Sequence, residues 1–179
     1  MFVKVCGITT KKDLDSALEL GFTAIGIVMY PKSKRFIGIK ESIILSEHAK
    51  GFIKRVAVGI RYEDVKEVEK YFDYIQISEP VTNKNLILSV EEKPTIENDL
   101  YIFDKSKGKG LLVEFPDWIN EYRDKIILAG GLNPENIYEI SVKYKTFGVD
   151  VSSGVESTPG IKDYHLMKRF ITEYKRSLI

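Results

Sequence analysis

The sequence predicts an α/β protein of the (β/α)8 type, a TIM barrel with shortened or missing outer helices after strands 4 and 5. Three observations predict it. Short apolar runs rich in β-branched residues occur eight times, several alternate with segments of helical character, and two of the connections are too short to hold a helix. Strand and helix in alternation build parallel sheet. Eight strands fit a closed barrel better than an open doubly wound sheet, which usually has five or six. The chain of 179 residues is expected to form one domain, 1–179, with no internal repeat or low-complexity linker.

The first run, Phe2 to Val5, leads through Cys6 into a Gly-Ile-Thr turn. Thr10 with Asp13 is suited to cap a helix over Lys11 to Leu20, and Gly21 to stop it. Further runs follow at Thr23 to Met29, Arg55 to Ile60, Tyr74 to Ile77, Leu86 to Val90 and Leu100 to Phe103. The starts of the fourth, fifth and sixth lie only roughly 12 and 14 residues apart, whereas a strand, helix and two loops need more than 20. Pro80, Pro94 and several Asn and Asp residues in Glu79 to Asn85 and Glu91 to Asp99 favour turns there. The last two runs are Lys125 to Leu128 and Phe147 to Val151. Between them Pro134 is expected to start a helix reaching about Tyr144, and Asp163 to Arg176 places Leu166, Phe170 and Ile171 on one helical face. If Gln76 points into the barrel, Ile75 and Ile77 point outward. They then need a cover, supplied by irregular segments of the chain or by a second subunit in a homodimer.

A formal net charge of +1, with 27 basic and 26 acidic residues interspersed, gives no electrostatic footprint for nucleic acid or membrane. No apolar stretch approaches the roughly 20 residues of a membrane-spanning helix, and the N-terminus runs straight into a strand, so a cytoplasmic protein is expected. Gln76 is the only glutamine, and abundant Lys, Glu and Ile resemble the composition of heat-adapted proteins.

In a parallel barrel the C-terminal strand ends converge on one face, which brings Cys6, Asp104 and Asp150 to a common mouth. Cys6 is the only cysteine. A lone cysteine in an apolar strand is ordinarily an inert hydrophobe, but a strand end opening into a Gly-Thr turn points to chemistry. Asp104 follows Leu100-Tyr101-Ile102-Phe103, where partial burial suits a carboxyl to general acid work. Asp150 lies among apolar neighbours and needs partners, either a substrate hydroxyl or nearby backbone donors. Two glycine-bearing loops, Ala129-Gly130-Gly131-Leu132-Asn133-Pro134 and Ser152-Ser153-Gly154-Val155-Glu156, follow the seventh and eighth runs. That is the usual phosphate location in barrels, and Gly130, Gly131, Ser152, Ser153 and Gly154 are the candidate phosphate binders. Arg35, in Tyr30-Pro31-Lys32-Ser33-Lys34-Arg35-Phe36-Ile37, has the fork to bind a carboxylate, although adjacent cations also suit a solvated surface. His48 and His165 fall in helical segments away from the strand ends, and no metal-ligand spacing occurs.

The blocks Val3-Lys4-Val5-Cys6-Gly7-Ile8-Thr9, Tyr30 to Arg35, Ala129 to Asn136 and Val149 to Glu156 together resemble the phosphoribosylanthranilate isomerase family of tryptophan biosynthesis, in order and over nearly the whole chain. The resemblance implies a cofactor-independent Amadori rearrangement of N-(5-phosphoribosyl)anthranilate to 1-(2-carboxyphenylamino)-1-deoxyribulose 5-phosphate. It implies Cys6 as general base, Asp104 as general acid, Arg35 on the anthranilate carboxylate and the two late loops on the phosphate. Two departures stand out. Where the family's fourth strand typically ends Gln-Leu-His-Gly, this chain has Gln76-Ile77-Ser78-Glu79. Its loop after the sixth run, with Lys105, Lys107, Gly108, Lys109 and Gly110, departs from the family's Gly-Gly-Thr/Ser-Gly pattern, and Lys105, Lys107 or Lys109 is the candidate to compensate by contacting an anionic substrate group. The related aminoaldose isomerase of histidine biosynthesis normally uses two aspartates, so Cys6 argues against it. A silent barrel binding a phosphorylated metabolite or a protein is the reading from another class, and retention of both Cys6 and Asp104 argues against that.

Overall fold

The computed structural model describes residues 1–81, 85–104 and 114–179. Eight parallel strands close into a barrel in sequential order: β1 (Phe2–Cys6), β2 (Ala24–Val28), β3 (Lys54–Val58), β4 (Tyr74–Ile77), β5 (Leu86–Val90), β6 (Leu100–Phe103), β7 (Ile126–Leu128) and β8 (Gly148–Val151). Closure is made by β1 on β8, with Lys4 opposite Asp150 and Val5 opposite Val151. Side chains alternate in and out along each strand. Phe2, Ala24, Val56, Ile87, Ile102 and Ile127 fill the interior, while Val3, Val5, Ile75, Ile77, Tyr101 and Phe103 belong to the outer core.

Among the described residues the helical layer is complete on one side only. Helix α1 (Lys11–Leu20) is capped by Thr10, whose hydroxyl accepts from the Asp13 N–H, and ends at Gly21 in the left-handed conformation, φ 82°. Helix α2 (Ile39–Ala49) separates β2 from β3. After β3 comes only the single turn α3 (Tyr62–Val65) and a 3₁₀ turn at Glu69–Tyr71. No helix occurs among the described residues between β4 and β6, as the short spacing predicts, and only a 3₁₀ stretch, Asp117–Tyr122, is described between β6 and β7. Among the described residues the thinning also takes in the connection after β3, which the spacing does not predict. Helix α4 starts at Ile137 and runs to Tyr144, three residues later than Pro134 implies. The Asn133 side chain accepts from the Glu135 and Asn136 N–H groups, and that turn takes up the residues before the helix. A small antiparallel hairpin, β9 (Glu156–Thr158) and β10 (Ile161–Lys162), precedes α5 (Tyr164–Arg176), which Asp163 caps.

Ile75 and Ile77 are buried within their own chain, in the outer core that also holds Val65, Val68 and Phe72. Over β6 the cover is aromatic. Phe103 packs against Phe115 and Trp118, and Tyr101 meets Tyr122 edge-on at 5.6 Å. The Tyr101 hydroxyl also donates to the Ile96 carbonyl and accepts from the Asn98 N–H, pinning the segment between β5 and β6.

Candidate active site

Cys6 closes β1 and is buried. Its register partner on β2 is Gly26, where a Cβ would lie 2.8 Å from the Cys6 sulfur, so the missing side chain makes room for the thiol. Directly after it, Gly7 turns with φ 81°, and the Gly7 and Ile8 N–H groups both donate to the Gly26 carbonyl at 2.9 and 3.0 Å. The Ser152 hydroxyl donates to the Cys6 carbonyl at 3.0 Å and ties this turn to the loop after β8. Burial pushes the Cys6 thiol up, and the nearby Asp150 carboxylate adds to this, while the Lys4 and Lys162 ammonium groups oppose it; the net direction is up.

One residue pair inside the barrel carries the electrostatics. Lys4 is completely buried and donates to Asp150 at 2.8 Å across the β1–β8 seam. Asp150 thus has a cationic partner, rather than only the substrate hydroxyl or backbone donors anticipated from sequence. Burial works against the Lys4 ammonium, but the charges of Asp150 and Cys6 outweigh it and leave its pKa raised. Burial also pushes the Asp150 carboxyl up, with Lys4 pulling it back and Asp104 pushing in the same direction as burial. Lys4 was not among the candidates from sequence. The signal was present in Phe2-Val3-Lys4-Val5-Cys6, where Lys4 shares the inward phase of Cys6.

Arg35 lies over the Gly7 turn, where a Cβ on Gly7 would stand 2.4 Å from the Arg35 Cδ. Its guanidinium grips Glu156 through Nε and Nη2 at 2.8 and 2.7 Å. Glu156 in turn accepts from the buried Lys162, its cross-strand partner in the hairpin, at 2.8 Å. Burial would raise the Glu156 pKa, but Arg35 and Lys162 outweigh it and hold it below the usual range. Burial lowers Lys162 despite Glu156. Glu156 and Lys162 are thus the second group that sequence reasoning left without a role.

The two glycine loops meet. Gly130 and Gly131 have φ 92° and 73°, a backbone path open to glycine, and the Asn136 side chain holds the Gly131 carbonyl at 2.9 Å. A Cβ on Gly154 would fall 2.0 Å from the Leu132 carbonyl, so the loop after β8 lies directly on the loop after β7. Ser153 to Val155 form a 3₁₀ turn behind it. Asp104 follows β6 directly, its N–H donating to the Val90 carbonyl at 3.3 Å, and its charge reaches Asp150. Ser78 lines a groove of about 300 Å³ beside β5, with Leu88, Ser89 and Pro94. The basic loop Lys105 to Gly110 lies outside the described residues. Among the described residues no cluster of three His, Cys, Asp or Glu side chains could hold a metal, and no helix is long and apolar enough to cross a membrane.

The family model for N-(5'-phosphoribosyl)anthranilate (PRA) isomerase matches residues 77–173. An N-(5'-phosphoribosyl)anthranilate isomerase from Nitratiruptor sp. is 34% identical, covering 98% of this chain and 99% of the relative. The crystal structure of phosphoribosyl anthranilate isomerase from Thermotoga maritima superposes with a TM-score of 0.85 at 32% identity, over 98% of this chain and 99% of that one. Another phosphoribosyl anthranilate isomerase, solved in complex with reduced 1-(o-carboxyphenylamino)-1-deoxyribulose 5-phosphate, gives 0.78 at 31% identity over 98% and 99%.

Proposed function

Because the chain belongs to the N-(5'-phosphoribosyl)anthranilate isomerase family, we propose that Cys6 is its general base and Asp104 its general acid. The activity is the isomerisation of N-(5'-phosphoribosyl)anthranilate to 1-(2-carboxyphenylamino)-1-deoxyribulose 5-phosphate in tryptophan biosynthesis. The observation that carries the assignment is the shared mouth: Cys6 closes β1, Asp104 follows β6, and Asp150 on β8 acts electrostatically on one and feels the other. Asp104 protonates the furanose ring oxygen, and the ring opens to an iminium. Cys6 then takes the proton from C2, the electron pair stays in the enolamine, and tautomerisation gives the ketone. One acid and one base suffice, and no cofactor enters.

The remaining residues bind. Arg35 meets the anthranilate carboxylate, and the pairing with Glu156 keeps its fork extended over the Gly7 turn. Gly130, Gly131, Ser152, Ser153 and Gly154 surround the phosphate with backbone N–H groups, and Asp150 faces the sugar. Anchoring both ends of an elongated anion holds the reacting carbons between acid and base. Cys6→Ser replaces a titratable thiol with a far weaker base, and Asp104→Asn removes the carboxylic proton. Each is expected to lower kcat by about 10²-fold or more with a smaller effect on KM, measured with freshly generated substrate by its fluorescence. Near-wild-type kcat in folded Cys6→Ser would return the cysteine to packing.

A further inference from the structure

Resting on Cys6 as the base, we infer that Lys4 is a positioning residue for the reaction: its buried ammonium, bonded to Asp150 at 2.8 Å and on the same inward face of β1 as Cys6, makes a thiolate sustainable inside the barrel. The interior beneath this pair is apolar, built from Phe2, Ala24, Val56, Ile87, Ile102 and Ile127. A thiol in such surroundings resists ionisation, yet a base must spend part of its time as the anion. Packing does not call for an ion pair at this depth, because well-packed apolar residues in place of a buried pair are often neutral or stabilising.

The charged groups facing Cys6 come from several elements. Lys4 lies on its own strand, Asp150 on β8 and Lys162 on β10; Arg35 reaches over from the loop after β2, and Asp104 faces Asp150 from the end of β6. Arg35 and Lys162 are both engaged by Glu156. Lys4 is paired with Asp150, whose carboxyl burial pushes toward the neutral form. Held in place by Asp150, the ammonium is a fixed cation on the inward face that Cys6 shares, so a thiolate formed there meets positive charge without reorganisation. When the C2 proton arrives on the sulfur, the thiolate is neutralised and the Lys4–Asp150 pair stays as it was. Lys4 touches no reacting atom in this sequence and acts only through Cys6.

Because Cys6 is the only cysteine, protein labelled with ¹³C at cysteine Cβ gives a single resonance whose shift follows thiol ionisation, independent of turnover. Lys4→Met is expected to move the midpoint up, leaving about tenfold less thiolate at a given pH, and the acidic limb of kcat/KM should move with it. Asp150→Asn is expected to move the midpoint down, because the opposing charge is gone. A folded Lys4→Met with an unmoved or lowered midpoint overturns the inference. If Lys4→Met does not fold, Lys4→Gln takes its place, and an unmoved or lowered midpoint there overturns the inference. The activity of Cys6→Ser, not this titration, decides whether Cys6 is the base, so the two ideas fail separately.

Discussion

Glu156 holds two cations at once, Arg35 through a two-pronged grip and Lys162 across the hairpin, while its own side chain is almost sealed from solvent at 4% exposure. Such a carboxylate is costly to protonate. Its folded pKa lies below the ordinary value, so its contribution to stability is complete above the ordinary glutamate range, near about 4.3, and is lost as pH falls through the folded value. Glu156→Gln keeps the shape and removes the charge. It should therefore cost about 2 kcal/mol at pH 7 and much less at pH 3, checked by urea unfolding at both. An equal cost at both pH values would deny the carboxylate its charge-dependent role. At this scale the sequence was readable where a residue type implies its own chemistry. Cys6 and Asp104 were found by lying at strand ends, and Asp150 by being a carboxylate among apolar neighbours. Lys4 and Glu156 have partners 146 and 121 residues away in the chain, so the local pattern gives the inward phase of Lys4 but not the charge it meets, whereas Lys162 lies only 6 residues from Glu156, in a hairpin that no turn signal marks as part of the site.

Elements were read most easily where backbone chemistry is local. Thr10, Asp13 and Gly21 state the ends of α1 in the sequence itself, and the structure uses the same residues. Helix α4 starts later than Pro134 implies because Pro134 suits a first helical turn, whereas the Asn133 side chain competes for the same N–H groups. The glycine loops were legible as phosphate candidates, but not their mutual contact. Since a side chain at Gly154 would collide with the Leu132 carbonyl, Gly154→Val should separate the loops. Both substrate KM and the inhibition constant of inorganic phosphate should rise by about tenfold, or 1.4 kcal/mol. Unchanged phosphate inhibition would remove these loops from the phosphate end.

At the scale of the whole molecule, a barrel with no full helix among the described residues on one flank still keeps its outer face dry. A lining of aromatic side chains does this, with one tyrosine hydroxyl that bonds the chain on either side of a turn. Tyr101→Phe leaves the packing and removes both bonds to Ile96 and Asn98. It should cost about 1 to 2 kcal/mol in urea unfolding, with kcat unchanged because Tyr101 faces away from the barrel interior; a loss below a few tenths would mean that the ring alone supplies the cover. The ring of strands has a further consequence. Lys4 and Cys6 arrive on the first strand and Asp150 on the last, and they face one another only across the seam that joins them. A ring left open at that seam keeps its other strand pairings but has no assembled charge group, so the chemistry comes into being with the most sequence-distant strand pairing of the barrel, and the loop-closure entropy of that pairing is also the entropy of building the site.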